Sequence, residues 1–265
     1  MLKLKEEDTV KVEEILKKVR KTTIEKIEKT NKIRQEDLNE AKKYSFKCCP
    51  DQIVASLQKK EDGQFDWLEK ITTKKQEFFK RKDIVQESDV QNDNIILLIL
   101  ESPHKDEFNE SGVNGPAFGQ TGIYINNYFV EILDTIKSLL TDITNCKIII
   151  VNAIQYACSL GLQLKEPILK NLMLKNLWEE DCFKENFRHR IKTILSATHK
   201  NGKRTVVINC CTKPIKKDVS CELKKLGFGF VEKIYEAPHP RYWNWKKGHI
   251  NIITIPLRKK DNNQV

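Results

Sequence analysis

The chain has 265 residues, of which 39% are hydrophobic and 32% are charged, and its net charge is +10 at pH 7. This composition is typical of a soluble globular domain and excludes a chain that is disordered throughout. No apolar run reaches the ~18 residues of a transmembrane helix, so the sequence predicts no membrane span.

The excess positive charge is confined to the last quarter of the chain. Residues 200–265 include 15 basic and 5 acidic residues, whereas the two signs balance over residues 1–199. A basic segment favours a polyanionic partner such as DNA or RNA. A solvated basic surface explains the charge equally well, so composition alone leaves both interpretations open.

The cysteines and the N-terminus bear on compartment and metal content. The first residues lack the apolar core of a signal peptide, so we expect a cytoplasmic protein with reduced thiols. None of the eight cysteines is spaced Cys-x-x-Cys, and the adjacent pairs Cys48-Cys49 and Cys210-Cys211 do not favour tetrahedral metal ligation. We therefore expect no metal or cofactor, no membrane association, and a monomer.

Residues 1–90 are predicted to form a helical N-terminal region. Val12, Ile15, Leu16 and Val19 recur at helical spacing. Residues 51–59 and 65–82 are interpreted as further helices, and a polar linker at 88–94 separates this region from residues 91–265.

Residues 91–265 follow a pattern of strands alternating with helices. Apolar runs predict strands at 95–100, 147–151, 204–209 and 228–235, and helices are predicted at 123–141, 167–199 and 213–226. This alternation predicts an α/β domain whose mostly parallel sheet of about four strands is covered on both faces. Ligands bind beyond the carboxyl ends of such strands.

Polar or ionisable residues that could act in binding or catalysis follow three of the four predicted strands. The first strand leads into Glu101-Ser102-Pro103-His104, and the glycine- and proline-rich loop 114–122 comes shortly after it. The second strand ends at Asn152, whose amide can donate to and accept from a base edge. The last strand leads into the segment 237–247, which mixes histidine, aromatic and basic residues.

These segments resemble, in order, the motifs of the uracil-DNA glycosylase superfamily, and most closely its iron–sulfur thermophile-type branch. Residues 100–104 stand where that branch has Gly-Glu-Ala-Pro-Gly, and residues 115–122 approximate its Gly-x-Pro-Phe-x-Gly-x-x-Gly loop. Val151-Asn152 matches its strand ending in asparagine, and His239-Pro240-Arg241 matches the motif beginning His-Pro-Ser. The resemblance covers about residues 95–245 and implies the three-layer fold of that superfamily, with 91–265 as the catalytic domain.

The resemblance implies a role for each matched residue. Glu101 would orient the hydrolytic water and stabilise the sugar cation, with Asp106 as the alternative carboxylate, and His239 would stabilise the departing base. Phe118 would stack on the flipped base and Asn152 would read its edge. The base site would also include Ser102 and His104, and double-stranded DNA would be contacted by Arg241, Tyr242, Trp243, Trp245, Lys246 and Lys247.

Simple chemistry agrees with these roles. Breaking an N-glycosidic bond develops a cationic sugar and an anionic base, which a carboxylate and a hydrogen-bond donor stabilise from opposite sides. The base must first leave the stack, so an aromatic platform and a wedge are needed, and Tyr242, Trp243 or Trp245 is the expected wedge. Glu101 and His239 should then lie within about 15 Å of each other, in polar loops outside the core.

The departures from the family pattern concern the iron–sulfur cluster and the identity of the excised base. The iron–sulfur cysteines of that branch have no counterpart here, so no cluster is expected. His104 replaces a glycine, or the tyrosine that excludes five-substituted pyrimidines in the best-known uracil branch, and Arg241 replaces a serine. These changes favour a modified, glucosylated cytosine in phage DNA over uracil, and hence an antiviral defence enzyme that leaves an abasic site.

Other functions remain open at this point. The chain could be an ordinary uracil repair glycosylase, if His104 blocks the pocket as tyrosine would. It could be a metal-dependent nuclease that uses Glu101, His104 and Asp106 as ligands. It could also be a nucleic-acid-binding module without chemistry.

Overall fold

The computed structural model describes residues 6–30, 33–71, 85, 87–104, 107–109, 112–113, 115–134, 136, 140–141, 143–160, 162, 168–227, 234–246 and 253–255. Within these ranges the helices are α1 (Glu6–Glu28), α2 (Gln35–Lys43), α3 (Glu87–Val90), α4 (Gln120–Asp134), α5 (Ile168–Glu179), α6 (Asp181–Lys200) and α7 (Lys213–Gly227), followed by a 3-10 helix at Pro240–Lys246. The strands are β1 (Gln52–Lys59), β2 (Phe65–Glu69), β3 (Asn94–Leu100), β4 (Phe108–Asn109), β5 (Gly112–Val113), β6 (Asn145–Asn152), β7 (Thr205–Asn209), β8 (Ile234–Glu236) and β9 (Ile253–Ile255).

A parallel core of four strands lies at the centre of the main sheet. The described strands of this sheet follow the order β2-β1-β6-β3-β7-β8-β9. The neighbours from β6 to β8 are parallel, whereas β1, β2 and β9 pair antiparallel with their neighbours. The prediction of an α/β fold with four parallel strands is therefore confirmed, but the complete sheet is mixed and larger than expected.

Helices cover both faces of the sheet and create two hydrophobic cores. Alternate residues of β3 enter different cores, because successive side chains of a strand point to opposite faces. Helices α1, α2, α5, α6 and α7 pack on one face, and α4 and the 3-10 helix pack on the other. Burial on both faces explains why the parallel strands are continuously apolar. None of the described helices is long and apolar enough to cross a membrane.

The prediction of helices at 51–59 and 65–82 is wrong where the structure describes them. Residues 52–59 and 65–69 form the antiparallel hairpin β1–β2, and β1 also pairs with β6. The turn depends on Gly63, whose φ is 82°, and Asp62-Gly63 is a hairpin signal that the helical interpretation overlooked. The region 1–90 is thus helical only in part, and residues 72–84 lie outside the described ranges.

The other predicted elements differ from the structure mainly at their ends. The helix predicted at 123–141 is α4 (Gln120–Asp134), and the predicted linker 88–94 begins inside α3 (Glu87–Val90). The predicted helix at 167–199 is two helices, α5 and α6, which are separated at Glu180. Helix α7 ends at Gly227, the predicted stop. Of the predicted strand 228–235, residues 228–233 lie outside the described ranges, and β8 begins at Ile234.

The order of the parallel strands places a topological switch point between β3 and β7. These strands are neighbours, but α4, which follows β3, and α7, which follows β7, contribute to cores on opposite faces of the sheet. In open α/β sheets such a switch opens a crevice at the carboxyl ends of the strands, where ligands bind. Residues that follow β3 and β7 are therefore the first to consider for function.

Candidate active site

Glu101 lies at this switch point, immediately after β3. Its side chain is 2% exposed. Its Oε1 accepts a hydrogen bond from Lys170 Nζ at 2.7 Å, and its Oε2 accepts one from the backbone N–H of Thr212 at 3.3 Å. His239 Nε2 lies 3.7 Å from Oε2. The predicted proximity of Glu101 and His239 is confirmed, but Glu101 is buried rather than placed in a polar loop outside the core, and the His239 side chain is only 13% exposed.

The charges of these groups are set by burial and by one another. Burial raises the pKa of Glu101, but the attraction of His239 and Lys170 outweighs burial and leaves it below its ordinary value. Burial lowers the pKa of His239, and Lys170, Lys216 and Arg241 lower it further, against the pull of Glu101. Burial lowers the pKa of Lys170, but Glu101 raises it above the ordinary value. At neutral pH the site therefore holds a carboxylate, an ammonium group and a neutral imidazole.

The neutral imidazole has a defined tautomer. His239 Nδ1 accepts a hydrogen bond from the backbone N–H of Arg241 at 3.2 Å, so the ring proton lies on Nε2. The 3.7 Å between Nε2 and Glu101 Oε2 exceeds hydrogen-bonding distance. This N–H is therefore not hydrogen-bonded to Glu101.

Asn152, the last residue of β6, presents a buried amide without a partner. It is 1% exposed, and neither its Oδ1 nor its Nδ2 makes a hydrogen bond. A buried polar group without a hydrogen-bond partner costs about 1–3 kcal/mol of stability. Two such atoms on one side chain are unusual in a native protein and suggest a role in binding. Asn152 is Leu100's partner across the β3–β6 pairing, which places it next to Glu101 along the carboxyl edge. Three further buried oxygens without partners follow the parallel strands in the described ranges: Ser102 Oγ after β3, Ser159 Oγ after β6 and Thr212 Oγ1 after β7.

A buried ion pair holds the end of β6. Arg190 on α6 donates to both carboxylate oxygens of Asp51, at 2.6 and 2.7 Å. The same guanidinium donates to the backbone oxygens of Asn152 and Ala153. The ion pair therefore fixes the backbone that carries the unpartnered amide.

The loop before α4 has an unusual backbone. Gly115, Ala117 and Gly119 all have positive φ, of 103°, 55° and 97°. Glycine adopts this conformation freely, whereas at Ala117 it is strained, and such strain clusters at ligand-binding loops. Phe118 is 8% exposed between these residues. Of the described part of the predicted loop, residues 116–119 form a turn and residues 120–122 belong to α4. Contact of Phe118 with a base stays a prediction.

The 3-10 helix after His239 separates residues that the sequence had grouped. Trp243 is 1% exposed, stacks on Phe129 and donates its indole N–H to Pro238 O at 2.9 Å. The assignment of Trp243 to DNA contact is wrong, because its ring fills the core on the α4 face. Tyr242, in contrast, is 52% exposed and its ring lies edge-on to His239.

The other predicted site residues fall in three groups. Arg241 and His104 are exposed near the carboxyl edge, and Ser102 is half-buried after β3. Asp106 and Lys247, together with the side chains of Trp245 and Lys246, lie outside the described residues. Sequence reasoning missed Lys170, Thr212, Arg190 and Asp51.

Grouped metal ligands are absent from the described ranges. No three histidine, cysteine, aspartate or glutamate side chains there are arranged to hold a metal ion. Asp106, which the nuclease alternative requires, is not among the described residues, so that alternative stays untested.

Comparison with known proteins adds no relative. No protein-family model matches the chain, and neither a curated protein nor a solved structure matches it. The function must be inferred from the chain's own residues and their geometry.

Proposed function

We propose that this protein is a DNA glycosylase that hydrolyses the N-glycosidic bond of a flipped base and leaves an abasic site. The observation that supports this most is the facing pair of Glu101 and His239, 3.7 Å apart, next to the unpartnered amide of Asn152. The four parallel strands, with chemically capable residues beyond their ends, support a fold like that of the uracil-DNA glycosylase superfamily.

Glu101 and His239 divide the charge that develops as the bond breaks. The carboxylate of Glu101 stabilises the cationic sugar and orients the water that adds to its anomeric carbon. The Nε2–H of His239 donates to the base, which departs with the electron pair of the broken bond. This division requires ionised Glu101 and neutral His239, and both pKa shifts favour those forms at neutral pH.

Asn152 and Phe118 recognise the flipped base in this proposal. The donor and acceptor of the Asn152 amide both gain hydrogen-bond partners when a base edge is bound, which favours entry of the base into the site. Phe118, held by the strained loop, provides the stacking face. The two residues then read and support the same ring from different directions.

The substrate we propose is a glucosylated hydroxymethylcytosine in foreign double-stranded DNA, cleaved by a cytoplasmic monomer in antiviral defence. His104 and Arg241 are exposed near the carboxyl edge, where polar side chains can reach a sugar attached to the base. Uracil is the alternative substrate, because a histidine at position 104 can also narrow the site.

Two oligonucleotides of one sequence test the proposal, one with a single uracil and one with a single glucosylated hydroxymethylcytosine. Each is incubated with the protein in EDTA, and alkali-labile sites and released bases are measured by gel and mass spectrometry. We expect abasic sites from the glucosylated strand. Faster release from uracil would reject the modified-base substrate, and direct nicks that form only when EDTA is left out would favour a nuclease. Binding without any product would reject the glycosylase.

Tyr242 is expected to be the wedge that keeps the base out of the stack, because it combines exposure with contact to His239. Tyr242→Ala should lower base release from duplex DNA by about tenfold or more, since one stacking contact is worth about 1–3 kcal/mol. Single-stranded substrate should be affected less, and Tyr242→Phe should retain activity. Equal losses on both substrates would show that Tyr242 does not act on the stack.

A further inference from the structure

Lys170 takes no part in the proposed cleavage of the N-glycosidic bond, although its ammonium group contacts the reacting carboxylate. It lies in the first turn of α5, and its Nζ is 2.7 Å from Glu101 Oε1. The lysine side chain is 31% exposed and the carboxylate 2% exposed. A lysine placed directly against the reacting carboxylate can determine both its charge and its orientation.

The ionised form of Glu101 needs such a partner. A carboxylate without one takes up a proton when it is buried, because burial disfavours the charged form. His239 is neutral at pH 7, because burial and the neighbouring Lys170, Lys216 and Arg241 depress its pKa, so it attracts Glu101 only at lower pH, where its imidazole is protonated. Glu107 also raises the pKa of Lys170 and so favours its ammonium form.

The remaining titratable groups around Glu101 are neutral thiols. Burial raises the pKa of Cys158 and Cys210 to about 12 and that of Cys211 well above the ordinary value. The groups that face Glu101 are Lys170 on α5, His239 after β8, Cys158 after β6, and Cys210 and Cys211 after β7. Among these described groups, Lys170 is the one that is positively charged at neutral pH.

We propose that Lys170 is a positioning residue that keeps Glu101 ionised and turns its Oε2 toward the reacting bond. Lys170 occupies Oε1, whereas Oε2 lies between the Thr212 N–H and His239 Nε2. The oxygen on the His239 side is thus the one that meets the substrate. This inference rests on the proposed function, in which Glu101 carries the negative charge.

The test uses the full chain with Lys170→Met, Lys170→Gln and Lys170→Arg, and with Lys175→Met as the matched control on the exposed side of α5. The Glu101 pKa is measured by carboxyl ¹³C NMR, with the resonance assigned from Glu101→Gln, and base release is followed against pH. Removing the lysine charge should raise the Glu101 pKa and move the acidic limb of the rate profile upward by about one to three pH units. At a fixed pH within that limb, the rate falls about tenfold for every pH unit by which the limb moves.

Arginine should restore most of the wild-type pH profile, and the Lys175 control should leave it unchanged. Because Lys170→Met and Lys170→Gln both remove the charge, agreement between them excludes a folding defect of one variant. An unchanged Glu101 pKa in both would overturn the inference, as would a lower plateau rate with an unmoved limb. If the wild type releases no base, the proposed function fails, and the NMR titration still decides whether Lys170 governs Glu101.

Discussion

Glu101→Gln is expected to lower the rate of base release by about 10²-fold or more, the loss typical when one positioned electrostatic group is removed. Glutamine has almost the same shape and can still accept a hydrogen bond from Lys170, but it carries no charge to stabilise the sugar cation. DNA affinity should persist, because no described contact places Glu101 on an exposed DNA-facing surface.

The measurement is single-turnover base release, with DNA affinity from a gel shift and the thermal midpoint recorded alongside. The structure adds a cost that the sequence did not predict, since Glu101→Gln removes the ionic partner of Lys170 and should lower the midpoint somewhat. Glu131→Gln, at an exposed position on α4, is the control and should change neither rate nor midpoint. Near-normal turnover of Glu101→Gln would transfer the carboxylate role to Asp106 or elsewhere.

Arg190→Met is expected to destabilise the protein by about 3–5 kcal/mol, because it leaves the buried carboxylate of Asp51 without its ionic partner. The Asn152 and Ala153 carbonyls lose their donor in the same step. Burial raises the pKa of Asp51 even with Arg190 in place, and without Arg190 it should rise further. A raised folded-state pKa contributes stability that is lost as pH rises through it, so the destabilisation should be smallest at acidic pH and grow as pH rises through the folded-state pKa of Asp51 in the variant.

Urea denaturation at several pH values measures this effect. Arg188→Met is the matched control two residues earlier on α6, because its partner Glu222 keeps a second cation, Lys225, at 2.8 Å; we expect a loss within about 1 kcal/mol. Asp51→Asn in the Arg190→Met background should recover part of the stability, since it removes the uncompensated charge. Equal effects of the two arginine variants would show that the Asp51 pair is not the support of β6.

Local patterns in the sequence determined the parallel core and most of its helices. Apolar runs such as 95–100 are continuous because both faces of a central parallel strand are buried, and nothing distant is needed to recognise them. The hairpin at 52–69 was interpreted as helical, because its strand character depends on pairing of β1 with β6, about ninety residues away. A short apolar run acquires that pairing only when the sheet assembles, although Asp62-Gly63 was a usable local signal.

The residues of the candidate site also divide into those that local sequence indicates and those that only tertiary packing identifies. Glu101, Asn152 and His239 could be selected from the sequence, because each follows a predicted strand and parallel strands bring their carboxyl ends together. Lys170 belongs to no recognisable motif, and its contact with Glu101 depends on the packing of α5. Arg190 and Asp51 are 139 positions apart in the chain, so their ion pair cannot be recognised from local sequence. Tyr242 and Trp243 are adjacent and both aromatic, yet one is exposed and the other is in the core. Residue type and strand ends are local properties, whereas burial and ion-pair partners exist only after the helices have packed on the sheet.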